Sequence, residues 1–254
     1  MMRTLLDTYQ LTLRALRESA RQPALEIGNV FIPMFFFAVT VGAIGNVAGR
    51  AFGVDNYTGF QLPVAVLQAV AGASGTAGLG TVTDIERGYF DKLMLTPAPR
   101  ISLVLGRLCA DGVRVMALTI LITVVGLIAG SGMKTGPLGV VVLVTMGGVF
   151  GLAYSGLGLA LALKTGSAQA AQLGFLIFFP LVFLSPAFAP KQVFAPWLQF
   201  LATINPVTYI VEGMRALVLD GWDAGSLAGA FGSIAGLGIF TLTLVLLALR
   251  SRTA

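Results

Sequence analysis

The sequence has no histidine, one cysteine (Cys109) and few charges, with 16 Lys and Arg and 11 Asp and Glu in 254 residues. Without histidine the commonest general base and metal ligand are missing, which excludes a histidine-dependent hydrolase or zinc enzyme. One cysteine cannot build an intramolecular disulfide framework. Charged residues at 11% are too sparse to wet a soluble domain, where about a quarter is usual. No phosphate loop is encoded either: its Lys-Ser/Thr must follow a glycine so that backbone amides cradle phosphate, and Lys164-Thr165 follows Leu163. What is present is apolar, at 56% hydrophobic residues and a mean hydropathy of +0.89. The expected solvent is lipid.

Crossing ~30 Å of hydrocarbon takes roughly 20 apolar helical residues. Six uncharged stretches qualify: Ile27–Ala48, Phe60–Val82, Val115–Met133, Pro137–Leu163, Ala168–Ala189 and Leu227–Leu249. Gln192–Val211 is also uncharged, but Pro196 and Asn205-Pro206 interrupt it. Proline removes a backbone donor and biases its predecessor away from helix, so short helices dipping into the outer membrane face are expected there. With six spans, twelve Lys and Arg lie on the side of the termini and four (Arg50, Lys134, Lys191, Arg215) on the other. The positive-inside rule then places both termini in the cytoplasm of a multi-pass cell-membrane protein.

The first 26 residues carry seven charges and no central apolar run, so a secretory leader is not expected. Leu6, Tyr9, Leu13, Leu16 and Ala20 recur at helical spacing beside the polar flank Asp7, Gln10, Arg14, Arg17 and Arg21. This pattern predicts an interfacial amphipathic helix within 1–26, ended by Pro23. Small residues at Gly45/Gly49, Gly72/Gly75/Gly78, Gly147/Gly151, Gly225/Gly229 and Gly232/Gly236 predict close helix packing in lipid.

The stretch from Asp84 to Arg114 reads as a cytoplasmic loop. Charges alternate along a short helical segment that also carries Tyr89, Phe90, Leu93 and Met94, and Pro97 and Pro99 close it. Spacing alone allows a helix that docks on another protein or a solvated loop.

Three runs resemble a known family. They are Glu86-Arg87-Gly88 with Asp91-Lys92-Leu93, Leu95-Thr96-Pro97, Arg100 and Leu105-Gly106-Arg107; Phe183-Leu184-Ser185-Pro186 with Pro196-Trp197; and Ile204-Asn205-Pro206-Val207-Thr208-Tyr209 with Glu212 and Arg215. Together with the six-span order they are similar to type-2 ABC exporter permeases, nearest the daunorubicin-type drug-resistance branch. The resemblance implies one all-α permease domain over 1–254, with six transmembrane helices and the N-terminal interfacial helix. It implies a coupling helix within 84–100 that meets the ATPase, and re-entrant helices within 192–222 that close the outer end.

Carried over position by position, it implies ATPase-coupling roles for Asp84, Glu86, Arg87, Gly88, Phe90, Lys92, Leu93, Thr96, Pro97 and Arg100. Phe90 and Leu93 are the expected apolar anchors, with Glu86 as a polar contact on their side. The expected outer gate is Asn205, Pro206, Tyr209, Glu212 and Arg215, the last two able to pair across three residues. Implied partners are two ABC ATPase subunits, a second permease copy or paralogue, the bilayer and a lipophilic cargo, with no nucleic acid. No cofactor is expected on this chain; ATP and Mg belong to the ATPase. Phe36 could supply an apolar pathway with wall, and Gln68, Gln169 and Gln172 with its few dipoles.

Rival classes lack their parts. An ion-coupled carrier keeps charged residues inside its spans, and a channel lines its pore with polar rings. For an intramembrane lipid-modifying enzyme, Asp111-Gly112 with Arg114 resembles only the start of a phospholipid-synthase motif. Asp111 is expected instead to pair with Arg107 or Arg114 at the inner interface.

Overall fold

The computed structural model describes residues 2–96 and 99–253, and its secondary structure there is entirely helical. The order is α1 (Met2–Ala20), α2 (Pro23–Phe52), α3 (Tyr57–Glu86), α4 (Tyr89–Met94), α5 (Arg100–Ile128), α6 (Gly136–Thr165) and α7 (Ala168–Phe183). A short 3-10 turn (Lys191–Val193), α8 (Pro196–Ile204), α9 (Pro206–Arg215), a π-helical turn (Ala216–Asp220) and α10 (Ala224–Thr253) follow.

Helix ends follow local chemistry. The interfacial helix is shorter than expected: α1 stops at Ala20, and Pro23 opens α2, where its missing N–H costs nothing. Asn56 and Ser167 cap α3 and α7 by accepting from Gly59 N and Ala170 N. Gly166, left-handed at φ +66°, ends α6.

Among the described residues, α2, α3, α5, α6 and α10 are long and apolar enough to cross a membrane. The fifth expected stretch, Ala168–Ala189, yields only the 16-residue α7. Pro186 and Pro190 follow shortly after its end and cannot donate to a continuing helix. The expected loop from Asp84 to Arg114 is also corrected. Of the described residues only 87, 88, 95, 96 and 99 lie between helices here, and α5 already runs from Arg100 through Arg107, Asp111 and Arg114. Charge does not stop this helix because Asp111, fully buried, lies 2.8 Å from Arg114, and Arg114 lies 3.8 Å from Glu26 of α2.

The helices pack around α3, the most buried of the long helices, whereas α2 is the least buried. At the centre, α3, α6 and α7 touch backbone to backbone. A Cβ on Gly158 would lie 2.1 Å from the Ser74 carbonyl oxygen, one on Gly78 2.8 Å from that of Gly158, and one on Gly174 3.2 Å from Gly158 Cα. Gly147 and Gly151 press α6 in the same way against Thr119 and Val115 of α5. Gly75, Gly232 and Gly236 have open space where a Cβ would go, so those members of the pattern pack nothing within this chain. Beside the contact, Tyr154 donates to Gly174 O at 2.9 Å and sets its ring edge-on to Phe178.

Candidate functional site

The expected coupling segment forms a knot of four helices. Gly88, at φ +65°, takes a left-handed conformation between α3 and α4 that a residue with a Cβ rarely adopts. The turn breaks helical register, so Glu86 closes α3 and does not share a face with Phe90. Phe90 itself points inward. It is 7% exposed and packs with Ala77, Val104, Leu108, Leu159 and Leu163. The expectation of an exposed anchor therefore fails for Phe90, because burying that ring is what docks a six-residue helix onto the bundle. Leu93 is half-buried beside it, lining a small hollow with Leu11 and Arg14.

Asp84 is likewise internal. Arg14 of α1 grips its carboxylate with two hydrogen bonds, 2.7 and 3.2 Å, the forked geometry that suits guanidinium to carboxylate. Arg107 of α5 also bonds Asp84 and donates to Gly80 O at 2.8 Å. The Arg14 guanidinium carbon lies 4.0 Å from the centre of the Tyr89 ring, and Glu18 lies 3.5 Å from Arg107. Burial works against the Arg14 charge, but the hydrogen bonds and charge of Asp84 outweigh it and raise its pKa above the usual guanidinium value. Asp84 thus ties α1, α3, α4 and α5 together and presents nothing to a partner. Exposed on this end are Glu86, Arg87, Asp91, Lys92, Leu95, Thr96 and Arg100. Thr96 also donates to Leu93 O at 2.6 Å, finishing α4. Pro97 lies outside the described residues.

At the opposite end the proline-broken segment is three short helical pieces. Asn205 caps α9 by accepting from Val207 N at 3.0 Å and donates to Leu181 O at 2.6 Å. Pro206 occupies the first helical turn, and Tyr209 donates to Thr203 O at 2.7 Å. Arg215 is buried, but no ion pair joins it to Glu212. Its guanidinium donates to Phe60 O at 3.2 and 3.3 Å and to Pro186 O at 3.0 Å, with its central carbon 3.5 Å from the centre of the Phe60 ring. The expected pairing is corrected because the turn after α7 brings carbonyls within closer reach than Glu212 one helical turn back.

A bundle of long apolar helices, preceded by the 19-residue α1 and carrying a clamped six-residue helix at one end, is the setting in which family likeness becomes decisive. The ABC-2 type transporter family matches residues 7–219, from within α1 to the π-helical turn. The chain belongs to the ABC-2 type transporter family. As an ABC-2 protein it is a membrane subunit of an ATP-driven exporter.

Its relatives include the daunorubicin resistance ABC transporter permease protein DrrB1 of Streptomyces coeruleorubidus, 26% identical over 216 residues that cover 84% of this chain and 76% of that protein. The probable doxorubicin resistance ABC transporter permease protein DrrC of Mycobacterium tuberculosis is 23% identical over 217 residues, 85% and 78% of the two chains. The putative transport permease ycf38 of Porphyra purpurea is 26% identical over 208 residues, 77% and 68% of the two chains.

The residues suggested for cargo in this ABC-2 permease are not gathered in one place. Phe36 is exposed on α2, Gln169 and Gln172 are exposed in the first turns of α7, and Gln68 is half-buried midway along α3. Gln68 Oε1 is buried without a hydrogen-bond partner, which is unusual for an interior amide. Two residues of the end that carries α4 were given no role of their own from sequence. Leu95 is 88% exposed, and its signal was an apolar residue wedged between a charged helix and a proline. Arg14, read only as part of a polar flank, holds the clamp.

Proposed function

We propose that this permease pairs with a second permease, identical or paralogous, and with two ATPase subunits that hold the ATP and Mg. The complex moves a lipophilic or amphiphilic molecule out of the cytoplasm or inner leaflet. The observation that carries this reading is the two-sided character of α4. Its inner side is fixed by Phe90 and by the Asp84 clamp. Its outer side offers Asp91 and Lys92 with the bare apolar Leu95. An exposed apolar anchor ringed by charges suits docking, the anchor giving affinity and the charges orientation.

In this reading α7 is the sixth crossing. Its 16 residues span ~24 Å at 1.5 Å per residue, short of the ~30 Å hydrocarbon. The turn after it, with Ser185 and Ala187 buried, completes the passage, and α8 and α9 return within the outer face. Both termini then lie in the cytoplasm of the cell membrane, supported by the distribution of Lys and Arg. An ion-coupled carrier is not favoured. Asp111 sits eleven residues into α5, ~16 Å along it at helical rise, and is neutralised by Arg114 at 2.8 Å.

The test is co-purification with the cognate ATPase and ATP-dependent transport, normalised to inserted permease, for Leu95→Asp and for Asp91→Lys with Lys92→Glu. Loss of association with unchanged membrane insertion supports the reading. Normal transport in both variants would remove α4 from the interface. Cysteine labelling at Ser251 from outside the cell would overturn the topology.

A further inference from the structure

We propose that the end of this permease opposite α4 holds a zwitterionic phospholipid headgroup, its ammonium and phosphate bound together in one charged cavity. The cavity measures about 600 Å³ and lies between the α2–α3 turn, the α5–α6 turn, the chain between α7 and α8, and the end of α9 with the π-helical turn. That volume is within the roughly 300–1,000 Å³ of small-molecule sites. Three cations (Lys134, Lys191, Arg215) and three carboxylates (Asp55, Glu212, Asp220) line it.

None of these six takes part in any ion pair among the described residues. Two of the cations are anchored at their bases or heads. Lys134 and Thr135 are fixed by their N–H groups to Val218 O and Leu217 O at 3.0 and 3.3 Å, and Arg215 is held by the Phe60 and Pro186 carbonyls. Carbonyls take hydrogens from Arg215 Nε and Nη2, and no carboxylate comes within ion-pair distance of its guanidinium among the described residues. A cavity with equal numbers of both charges, none within ion-pair distance of another, is complementary to a ligand carrying both. Phosphate takes Lys134 and Lys191, and ammonium takes Asp55 and Asp220.

Depth argues for a lipid over a dissolved zwitterion. Both tryptophans of the chain, Trp197 and Trp222, are exposed on elements of this end, and exposed tryptophan collects at headgroup level in membranes. Trp222 is two residues from Asp220, so the carboxylate that faces the cavity sits at that depth.

The test uses the purified full chain in detergent, with thermal unfolding followed by tryptophan fluorescence. The probes are dihexanoyl-phosphatidylethanolamine, dihexanoyl-phosphatidylglycerol and phosphoethanolamine without acyl chains. The phosphatidylethanolamine is expected to raise the midpoint saturably and at lower concentration than the phosphatidylglycerol. Asp55→Asn with Asp220→Asn is expected to weaken phosphatidylethanolamine by about tenfold, the loss of a charge-assisted contact, and to favour phosphatidylglycerol. Lys134→Gln with Lys191→Gln is expected to abolish saturation by either lipid. Should a double variant unfold early without lipid, the exposed single change Asp220→Asn carries the comparison. Equal stabilisation by both headgroups, or unchanged selectivity in the variants, overturns the site. Phosphoethanolamine acting as strongly as the lipid overturns the lipid assignment.

Discussion

Phe90→Ala separates a ring that docks α4 on its own chain from a ring that docks on an ATPase. Phe90 is 7% exposed among Ala77, Val104, Leu108, Leu159 and Leu163. Truncating such a ring costs about 3–5 kcal/mol in transfer and cavity terms. At the lower bound, with about 1.4 kcal/mol per decade, α4 opens roughly a hundredfold more often, up to the point at which it is fully undocked. Trypsin reads this directly, because Arg87 and Lys92 flank the ring, and amide exchange over residues 89–94 reads it without cleavage. Both are measured on the purified chain in detergent, with no ATPase present. Leu95→Ala is the companion: at 88% exposure its loss should leave protection unchanged and weaken only the association with the ATPase. Unchanged protection in Phe90→Ala, together with lost co-purification, would refute the argument and return Phe90 to the interface.

Asp84→Asn strands two arginines and should cost about 3 kcal/mol, the lower end for breaking a buried pair because the Arg14 side chain is 35% exposed; a drop in unfolding midpoint with freed α1 amides checks it, and no change denies the clamp. Gly158→Ala drives a methyl against the Ser74 carbonyl and should cost at least the ~1–3 kcal/mol of ordinary overpacking, seen as reduced folded yield, whereas Gly232→Ala should be silent. Asp223 accepts from Gly225 N at 3.1 Å and Ser226 N at 3.0 Å at the start of α10, and its pKa is lowered, by the Ser226 hydroxyl first and then by these amides. Its contribution is therefore complete above the usual carboxylate range and is lost as pH falls through the depressed value; amide exchange at 225–227 should rise on acidification in the wild type and not in Asp223→Asn.

The long helices were legible because an apolar run of twenty residues has few other fates. Their ends were not. Arg107, Asp111 and Arg114 look like loop residues until Asp84, Gly80 and Glu26 are brought beside them by other helices. The length of α7 was overestimated because apolar composition continues through Pro186 although helix cannot. The short pieces around Pro196 and Asn205-Pro206 were legible from proline chemistry alone. At the end that carries α4, the short helix was legible but its facing was not. A six-residue helix has two sides, and which is inner depends on residues such as Leu159 and on Arg14, which lies 70 positions from Asp84. The three-residue spacing of Glu212 and Arg215 suggested a pair because the carbonyls of Phe60 and Pro186 carry no sequence signature.

The contact among Gly78, Gly158 and Gly174 has a kinetic consequence. Long side chains can change rotamer and let two helices slide, but these backbones meet with only Ser74 Oγ and the Ala171 methyl beside them. Any shear of α3, α6 or α7 past another must first separate them by the thickness of a side chain. Those three helices are therefore expected to move together. The long helix least bound to that group is α2, which is the least buried and meets the rest of the chain chiefly along α3.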